Sequence, residues 1–408
     1  MLKSIDRIGI IGGGAAGFFT ALVAAKLSPE TEVILFEKTR QPLAKVKISG
    51  GGRCNVTHNC FDPATLSRFY PRGEDVLKKA FYTFQPRDMI DWLDERGVCL
   101  KIEADGRMFP STNTSQTIID CFMKEAKALG ITIRLESEVC AIHKTNEGVT
   151  LTLKDDTKIP CKAALLATGG MQRSYTLAED LGHSIIPAVP SLFTFNIQDP
   201  RLDGMSGVSV PLAKVALEGS GIEAEGPLLI THWGMSGPAV LRLSAWGARY
   251  LADKGYKTNV VVNWVPSLPE HKLREEIISY KSANASKQIL VTPLFGIPKN
   301  LWKKFTEHCQ MPEHKLWAHL SKQDLHTLVQ VLCKSTFPID GKSTYKEEFV
   351  TCGGIPWKEI DPKTMQSRLC KGLFFAGEVV DTDGITGGFN FQNAWTTGWI
   401  AAHAMVEL

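Results

Sequence analysis

A chain of 408 residues has room for two or three domains, and 44% hydrophobic with 22% charged residues is the composition of a globular protein rather than a disordered or fibrous one. Forty-six basic against 43 acidic residues leave a formal charge of +3, which argues against a broad nucleic-acid-binding stripe without excluding an RNA substrate. No apolar run reaches the roughly 18 residues of a membrane span, and the short polar start before Ile8 leaves no room for a secretory leader, so a cytoplasmic protein without a membrane partner is expected.

Ile8–Ile11 reads as a short buried strand, Gly12–Gly14 as a turn, Ala15–Leu27 as a helix and residues 32–38 as a second strand, parallel to the first. Within it, Gly12, Gly14 and Gly17 have G-x-G-x-x-G spacing. The first glycine permits the tight turn, the second lets backbone approach a pyrophosphate, and the third lets helix and strand pack closely. The helix start, at Ala15, offers unpaired N–H groups to the phosphates. Glu37, twenty residues past Gly17, is placed to bond a ribose diol and to repel a 2′-phosphate. Together these features predict a dinucleotide site.

The next stretch, ISGGGRCNVTHNC, spans residues 48–60. Two uses compete for it: a redox-active Cys54–Cys60 pair, or bare backbone wrapped on a cofactor. Five residues separate the cysteines, and on a helix the fifth turns the second sulfur about 100° further round than a spacing of four. No second G-x-G-x-x-G follows a mid-chain strand, so the cofactor use is expected, with Gly51 and Gly52 against a flavin and Arg53 facing its ring or the pyrophosphate. Cys54 reads as packing. His58 and His143 have no nameable partner. The ten cysteines lack zinc-type spacing, so no metal is expected.

Asp75–Arg96 has helical spacing, and Ser115–Leu129 reads as a helix closed by Gly130. Between them Arg107, in DGRMFP, could hold an anionic or carbonyl oxygen, although a lone exposed arginine is ordinarily just solvated. ITIRLES, EVCAIHK and VTLTLKD, with KIPCKAALLATGG, read as an antiparallel layer returning to the parallel sheet. LLATGG ends in Thr168-Gly169-Gly170, suited to backbone near the adenine half of FAD. Residues 191–264 are β-rich and 265–340 helical in pattern, an insertion between a first domain of 1–190 and its closure by 341–408. In the insertion, ITHWGMSGP offers His232 as a proton donor, with Trp233 and Met235 as an apolar wall, although a lone histidine in a strand-loop is ordinarily just hydrogen-bonded there. Lys303, Lys304 and Lys315 cluster in sequence where a docked RNA would need a basic surface, although a charged helical face is the more ordinary explanation. GLFFAGEVVDTDGITGGFNFQNA then gives an apolar strand, the Gly377-Glu378 turn and a glycine-rich loop into a helix. Glu378 suits ribityl hydroxyls, and the helix start near Gly387, Gly388 and Asn390 suits phosphates or the flavin pyrimidine ring. Glycines at several distant segments favour FAD over NAD as the resident dinucleotide.

RIGIIGGGAAG, KISGGGRCNVTH, DGRMFP, ITHWGMSGPA, VTCGGI and GLFFAGEVVDTDGITGGFNFQNAWTTG stand in the order of the BaiN/YhiN-like flavoproteins, also described as NAD(P)/FAD-dependent or aminoacetone oxidase-like oxidoreductases. The chain resembles that family over nearly its whole length. The resemblance implies an α/β protein: a two-dinucleotide-binding-type FAD domain with a Rossmann-like parallel sheet, an inserted β-barrel-like domain and a small helical domain. It implies FAD contacts at Gly12, Gly14, Gly17, Glu37, Lys38, Gly51, Gly52, Arg53, Cys54, Asn55, Val139, Gly169, Gly377, Glu378, Gly388 and Asn390. Ala15, Thr168, Asp381 and Gly387 complete the candidate set. Members are associated with reduction of activated C=C bonds, in steroid-like enones and in a uracil ring of ribosomal RNA. The expected activity is therefore an FAD-dependent reductase of such a bond, acting on a small molecule and fed by transiently bound NAD(P)H. Arg53 would stabilise the reduced ring and His232 would donate the proton. An amine or ketone oxidase using O2, and a flavoprotein acting on structured RNA, are the alternatives. The chain departs from the family after ATGG, where MQRSYTLAEDLGH replaces a glycine-rich stretch.

Overall fold

The computed structural model describes residues 6–342 and 350–408. The chain forms two compact units, Met1–Pro190 with Val350–Leu408, and Ser191–Phe349.

The first unit is built on a parallel sheet. β1 (Arg7–Ile11) turns into α1 (Ala15–Leu27), and the chain returns as β2 (Glu32–Phe36), in register with β1 from Arg7↔Glu32 to Ile11↔Phe36. Ala163–Leu166 pairs with the other edge of β1, and Leu373–Phe375 pairs with Ala163–Leu166 in turn, all parallel. Continuous apolar runs are what a parallel sheet covered on both faces requires, and Ile8, Ile10, Ala164 and Leu165 are fully buried. α1 is apolar on every side because it lies between the sheet and the C-terminal helix, Phe389–Val406. Strand order reverses between β1 and Ala163–Leu166. A crevice at the carboxyl ends of the strands belongs to such a reversal. The turns at Gly12–Gly14, Ala167–Gly169 and Ala376–Glu378 all follow those ends.

Two elements differ from expectation. The helical pattern over Asp75–Arg96 is two helices, Glu74–Ala80 and Pro86–Asp94. Pro86 forces Gln85 into extended backbone, and the Gln85 N–H is capped by Asp88 Oδ2 at 2.6 Å, so a new helix starts there. ITIRLES does not join the antiparallel layer. Its Thr132–Arg134 pairs parallel with β2 from Ile34↔Thr132 to Phe36↔Arg134, and the antiparallel sheet consists of Val139–Thr145, Gly148–Leu153 and Lys158–Cys161. A three-residue strand carries too little alternation to reveal its partner. Of the run EEFVTCGGI, the first three residues lie outside those described, and Val350–Gly354 pairs with Ile186–Ser191.

The second unit holds a six-stranded antiparallel sheet that nearly closes into a barrel. Its last strand, Ser335–Asp340, ends where the Asn196 N–H of the first strand, Phe195–Asn196, bonds the Gly341 carbonyl at 3.0 Å. Helices Glu270–Ala283, Lys299–His308 and Lys322–Lys334 share one core with this sheet, in which Val215, Val260 and Val262 meet Leu273, Trp302 and Leu328.

Candidate functional site

Three glycines follow β1, each for a different reason. A Cβ on Gly12 would stand 2.6 Å from the Ala167 carbonyl oxygen, so two backbone turns touch at the sheet reversal. A Cβ on Gly17 would overlap the Gly12 carbonyl oxygen, which sets the approach of α1 to β1. Gly14 borders open space: nothing lies within 4 Å of where a Cβ would stand. It is also the N-cap of α1, and among the described residues no side chain caps that helix. Among the described residues, the N–H groups of the first turn from Ala15 thus have no side-chain acceptor, with the helix's partial positive charge behind them. This is the arrangement that takes a phosphate.

Glu37 follows β2 and is held in place. Its Oε2 accepts the Gly13 N–H at 2.9 Å, and its Oε1 accepts the N–H and hydroxyl of Thr39 at 2.9 and 2.8 Å. A carboxylate has about four acceptor sites, so Oε2 keeps one for a ribose hydroxyl. Val139 is buried at the start of the neighbouring antiparallel strand. The exposed Lys38 reaches Met171 Sδ at 3.6 Å. The Thr168 hydroxyl bonds that of Ser174, which ties the Thr168-Gly169 turn to the helix Gln172–Glu179 in the stretch where the chain departs from its resemblance.

At the end of Leu373–Phe375, the Gly377 N–H donates to Thr397 Oγ1 at 2.9 Å. Glu378 accepts the Thr351 N–H at 2.7 Å and the Lys45 ammonium at 3.0 Å. The glycine-rich loop beyond is bound on all sides. Arg72 forms a two-pronged ion pair with the buried Asp383. Trp357 Nε1 donates to Thr382 Oγ1 at 2.8 Å, the Asp381 N–H to Ile355 O at 2.9 Å, and the Tyr70 hydroxyl to Phe389 O at 2.6 Å. The Asn390 amide clamps Gly384 through two bonds of 2.8 Å, and Asn55 Oδ1 accepts the Gly388 N–H at 2.9 Å. The side chain of Asn390 and the N–H of Gly388 are therefore occupied in shaping the loop, beside Gly387.

The end of α2 (Ala44–Gly52) breaks from helical geometry at Ser49–Gly51. Gly51 and Gly52 take positive φ of 68° and 81°, and a Cβ on either would meet nothing within 4 Å, so backbone borders open space there too. Cys54 is fully buried, and burial pushes its thiol up to about 12, so it stays protonated and unreactive at neutral pH. Cys54 and Cys60 are both free thiols. Arg53 lies over the Phe109 ring, 4.0 Å from Cζ to centroid, and its Nη1 bonds Glu103 Oε1 at 2.6 Å. The other oxygen of Glu103 takes Arg107 Nη2 at 3.0 Å, and Arg107 also pairs with Asp105 at 2.7 Å. His58, in β3 (Thr57–His58), stacks on Phe389 at 4.7 Å, and its Nε2 lies 3.1 Å from the Asp105 carbonyl.

His232 belongs to the other unit. It is exposed beside the exposed Trp233 on the tight turn between the strands Glu223–Thr231 and Gly234–Ser236, with Met235 buried behind. Of the three lysines, Lys315 is bound to Asp324 at 2.6 Å and Lys303 lies 3.8 Å from Glu307. Lys45, Glu103, Arg72 and Asp383 escaped the sequence reading, which named His58 but no partner for it. Glu103 had a signal, four residues before Arg107; Lys45 had none, since its partner lies 333 residues away.

The chain matches the HI0933-like protein Rossmann domain over residues 6–404. It is 30% identical, over 99% of both chains, to the ribosomal RNA dihydrouridine synthase of Escherichia coli K12. It is 26% identical, over 99% of this chain and 100% of the other, to the 3-dehydro-bile acid delta(4,6)-reductase of Clostridium scindens. Among solved structures, the 3-ketosteroid delta1-dehydrogenase of Sterolibacterium denitrificans, in complex with 1,4-androstadiene-3,17-dione, superposes with a TM-score of 0.52 at 11% identity, over 98% of this chain and 100% of that one, and so shares the fold. No helix among the described residues is long and apolar enough to cross a membrane.

Proposed function

We propose a reaction from the premise that this chain belongs to the HI0933-like Rossmann family and is an FAD-dependent flavoprotein oxidoreductase: it reduces a C=C bond conjugated to a carbonyl, with NAD(P)H as the electron source. The observation that carries the cofactor reading is the open Gly14 turn at the uncapped start of α1, with the Glu37 carboxylate held against Gly13. These residues fit a dinucleotide. The α1 start would hold its phosphates, Glu37 a ribose, and Glu378 with Gly51 and Gly52 the ribityl–flavin half. FAD supplies, when bound, a two-electron carrier that can pass hydride.

The relatives support the substrate class. One is a dihydrouridine synthase and another a delta(4,6)-reductase, and both names describe hydride and proton addition across a C=C in conjugation with a carbonyl. In this chain Arg53 and Arg107, held together on Glu103 with Asp105 also on Arg107, form a charge-balanced cluster whose guanidinium N–H groups are suited to a substrate carbonyl as charge builds on it. His232 remains the proton donor we favour, with Trp233 as an apolar wall. Ten free cysteines support a reducing, cytoplasmic setting.

A uridine of structured RNA is the second reading of the acceptor, favoured by 30% identity to the ribosomal RNA enzyme over 99% of both chains. The visible spectrum of the purified protein with FAD, under anaerobic conditions, tests the proposal. NADH or NADPH should bleach the flavin bands, and an enone or a uridine-containing RNA should restore them. Bands that stay coloured, with peroxide formed from an amine or ketone in air, would replace the reductase by an oxidase.

A further inference from the structure

The segment 43–45 touches all three turns at the carboxyl ends of the parallel sheet. Leu43 is buried, and its N–H bonds the Gly13 carbonyl at 2.8 Å. It does so at a φ of 58°, a left-handed backbone that leucine keeps only where its surroundings enforce it. Lys45, two residues on, then reaches the other two turns. Its ammonium meets Glu378 Oε2 at 3.0 Å, and a Cβ on Gly169 would stand 3.9 Å from it. The lysine side chain is 61% exposed, so it borders the open crevice rather than the protein interior.

Charge says what such a lysine can take. Glu37 and Glu378 bring two carboxylates to the crevice, suited to hydroxyls. A dinucleotide also brings a diphosphate with two negative charges, and the start of α1 offsets only about half of one. Arg53 is already engaged by Glu103 at 2.6 Å. Lys45 keeps capacity, because an ammonium has three donors and Glu378 takes one of them. In FAD the ribityl chain is esterified to the diphosphate. A cation between the Gly13 turn, assigned above to the phosphates, and Glu378, assigned to the ribityl half, therefore stands at their junction.

We infer that Lys45 is a further cofactor ligand, donating a charge-assisted hydrogen bond to a diphosphate oxygen of FAD while it keeps Glu378. The inference rests on the FAD reading. The test titrates FAD, and ADP as the two phosphates without the ribityl–flavin half, into wild type, Lys45→Met and Lys45→Arg at low and high salt. Methionine should weaken both ligands by a similar factor, about tenfold for one charge-assisted bond. It should also flatten the salt dependence of both, because an exposed charge is screened by salt. Arginine keeps the charge and should restore most of the affinity. Unchanged FAD affinity in the methionine variant would overturn the inference, leaving a surface ion pair. FAD weakened with ADP untouched would also overturn it, since Lys45 would then act only by holding Glu378. Melting of the apoproteins checks folding, and if the methionine variant does not fold, Lys45→Gln faces the same titrations. A wild-type protein that takes no FAD sinks the cofactor reading, and this inference with it; wild-type binding that is indifferent to Lys45 sinks this inference alone.

Discussion

Lys45 and Glu378, 333 residues apart in sequence, meet at 3.0 Å, Nζ to Oε2, beside Gly169. The lysine is 61% exposed, so the pair itself adds less than about 1 kcal/mol to stability. Its consequence lies in where it holds the carboxylate. Glu378 is also fixed by the Thr351 N–H at 2.7 Å, which leaves Oε1 and Oε2 each with acceptor capacity toward a hydroxyl. Glu378→Gln should leave folding nearly unchanged and weaken FAD about tenfold, the value of one charge-assisted bond. Isothermal titration would show it, and an unchanged dissociation constant would remove Glu378 from the site.

Asp383 is fully buried against Arg72, and the pair pins the glycine-rich loop to the turn after Tyr70. Removing one partner leaves the other charge partly buried, which costs about 3 kcal/mol or more. Asp383→Ala should lower the urea midpoint accordingly and release FAD on dilution, because Gly387 and Gly388 depend on that loop for their position. A variant as stable as wild type would show that Arg72 rehydrates freely.

Cys54 stands beside Arg53 yet carries no reactive thiol. Burial pushes it up to about 12, so almost none is thiolate at pH 8. Iodoacetamide should modify the exposed Cys99 and spare Cys54 in the folded protein, as peptide mass mapping would record. Cys54→Ala should retain flavin reduction. Its loss would bring the thiol back into the chemistry.

What was readable in the chain and what was not divides along physical lines. The β1–α1–β2 unit was legible because backbone requirements there leave only glycine: Gly12 touches Ala167 O, and Gly17 touches Gly12 O. The run through Leu373–Phe375 was legible because a strand buried on both faces is apolar throughout, and the Gly377-Glu378 turn because Gly377 takes a positive φ of 74°. Thr132–Arg134 was misplaced because three residues state a propensity but not a partner. Helix spacing could not show that Gln85-Pro86 starts a new helix, since apolar periodicity continues across the break. The partners of Arg53 were the least legible. Its neighbours, Gly52 and Cys54, suggest a place at the cofactor, and folding adds Glu103 and Phe109 to it from another segment. Ion pairs between distant segments leave no local pattern to read.

His183 supplies a pH dependence outside the crevice. It is buried edge-on to Phe375, with Nδ1 3.0 Å from Glu359 Oε2 and Nε2 2.8 Å from the Ser367 hydroxyl. Burial pulls its pKa below the ordinary 6.5, against the opposing pull of Glu359. Burial also pushes Glu359 up, but the Ser184 hydroxyl and N–H, with His183, outweigh it and leave the carboxyl below its ordinary 4.5. The unfolded chain therefore takes up a proton at His183 before the folded protein does, and stability falls as pH drops through 6.5. The Glu359 contribution is intact above 4.5 and is lost below it, as pH falls through the folded value. Melting temperatures of wild type should accordingly decline in two stages on acidification. His183→Gln keeps a neutral donor and acceptor in the same space, so it should abolish the first stage and preserve the second. A variant that declines between pH 7 and 5.5 as steeply as wild type would assign the first stage to another group.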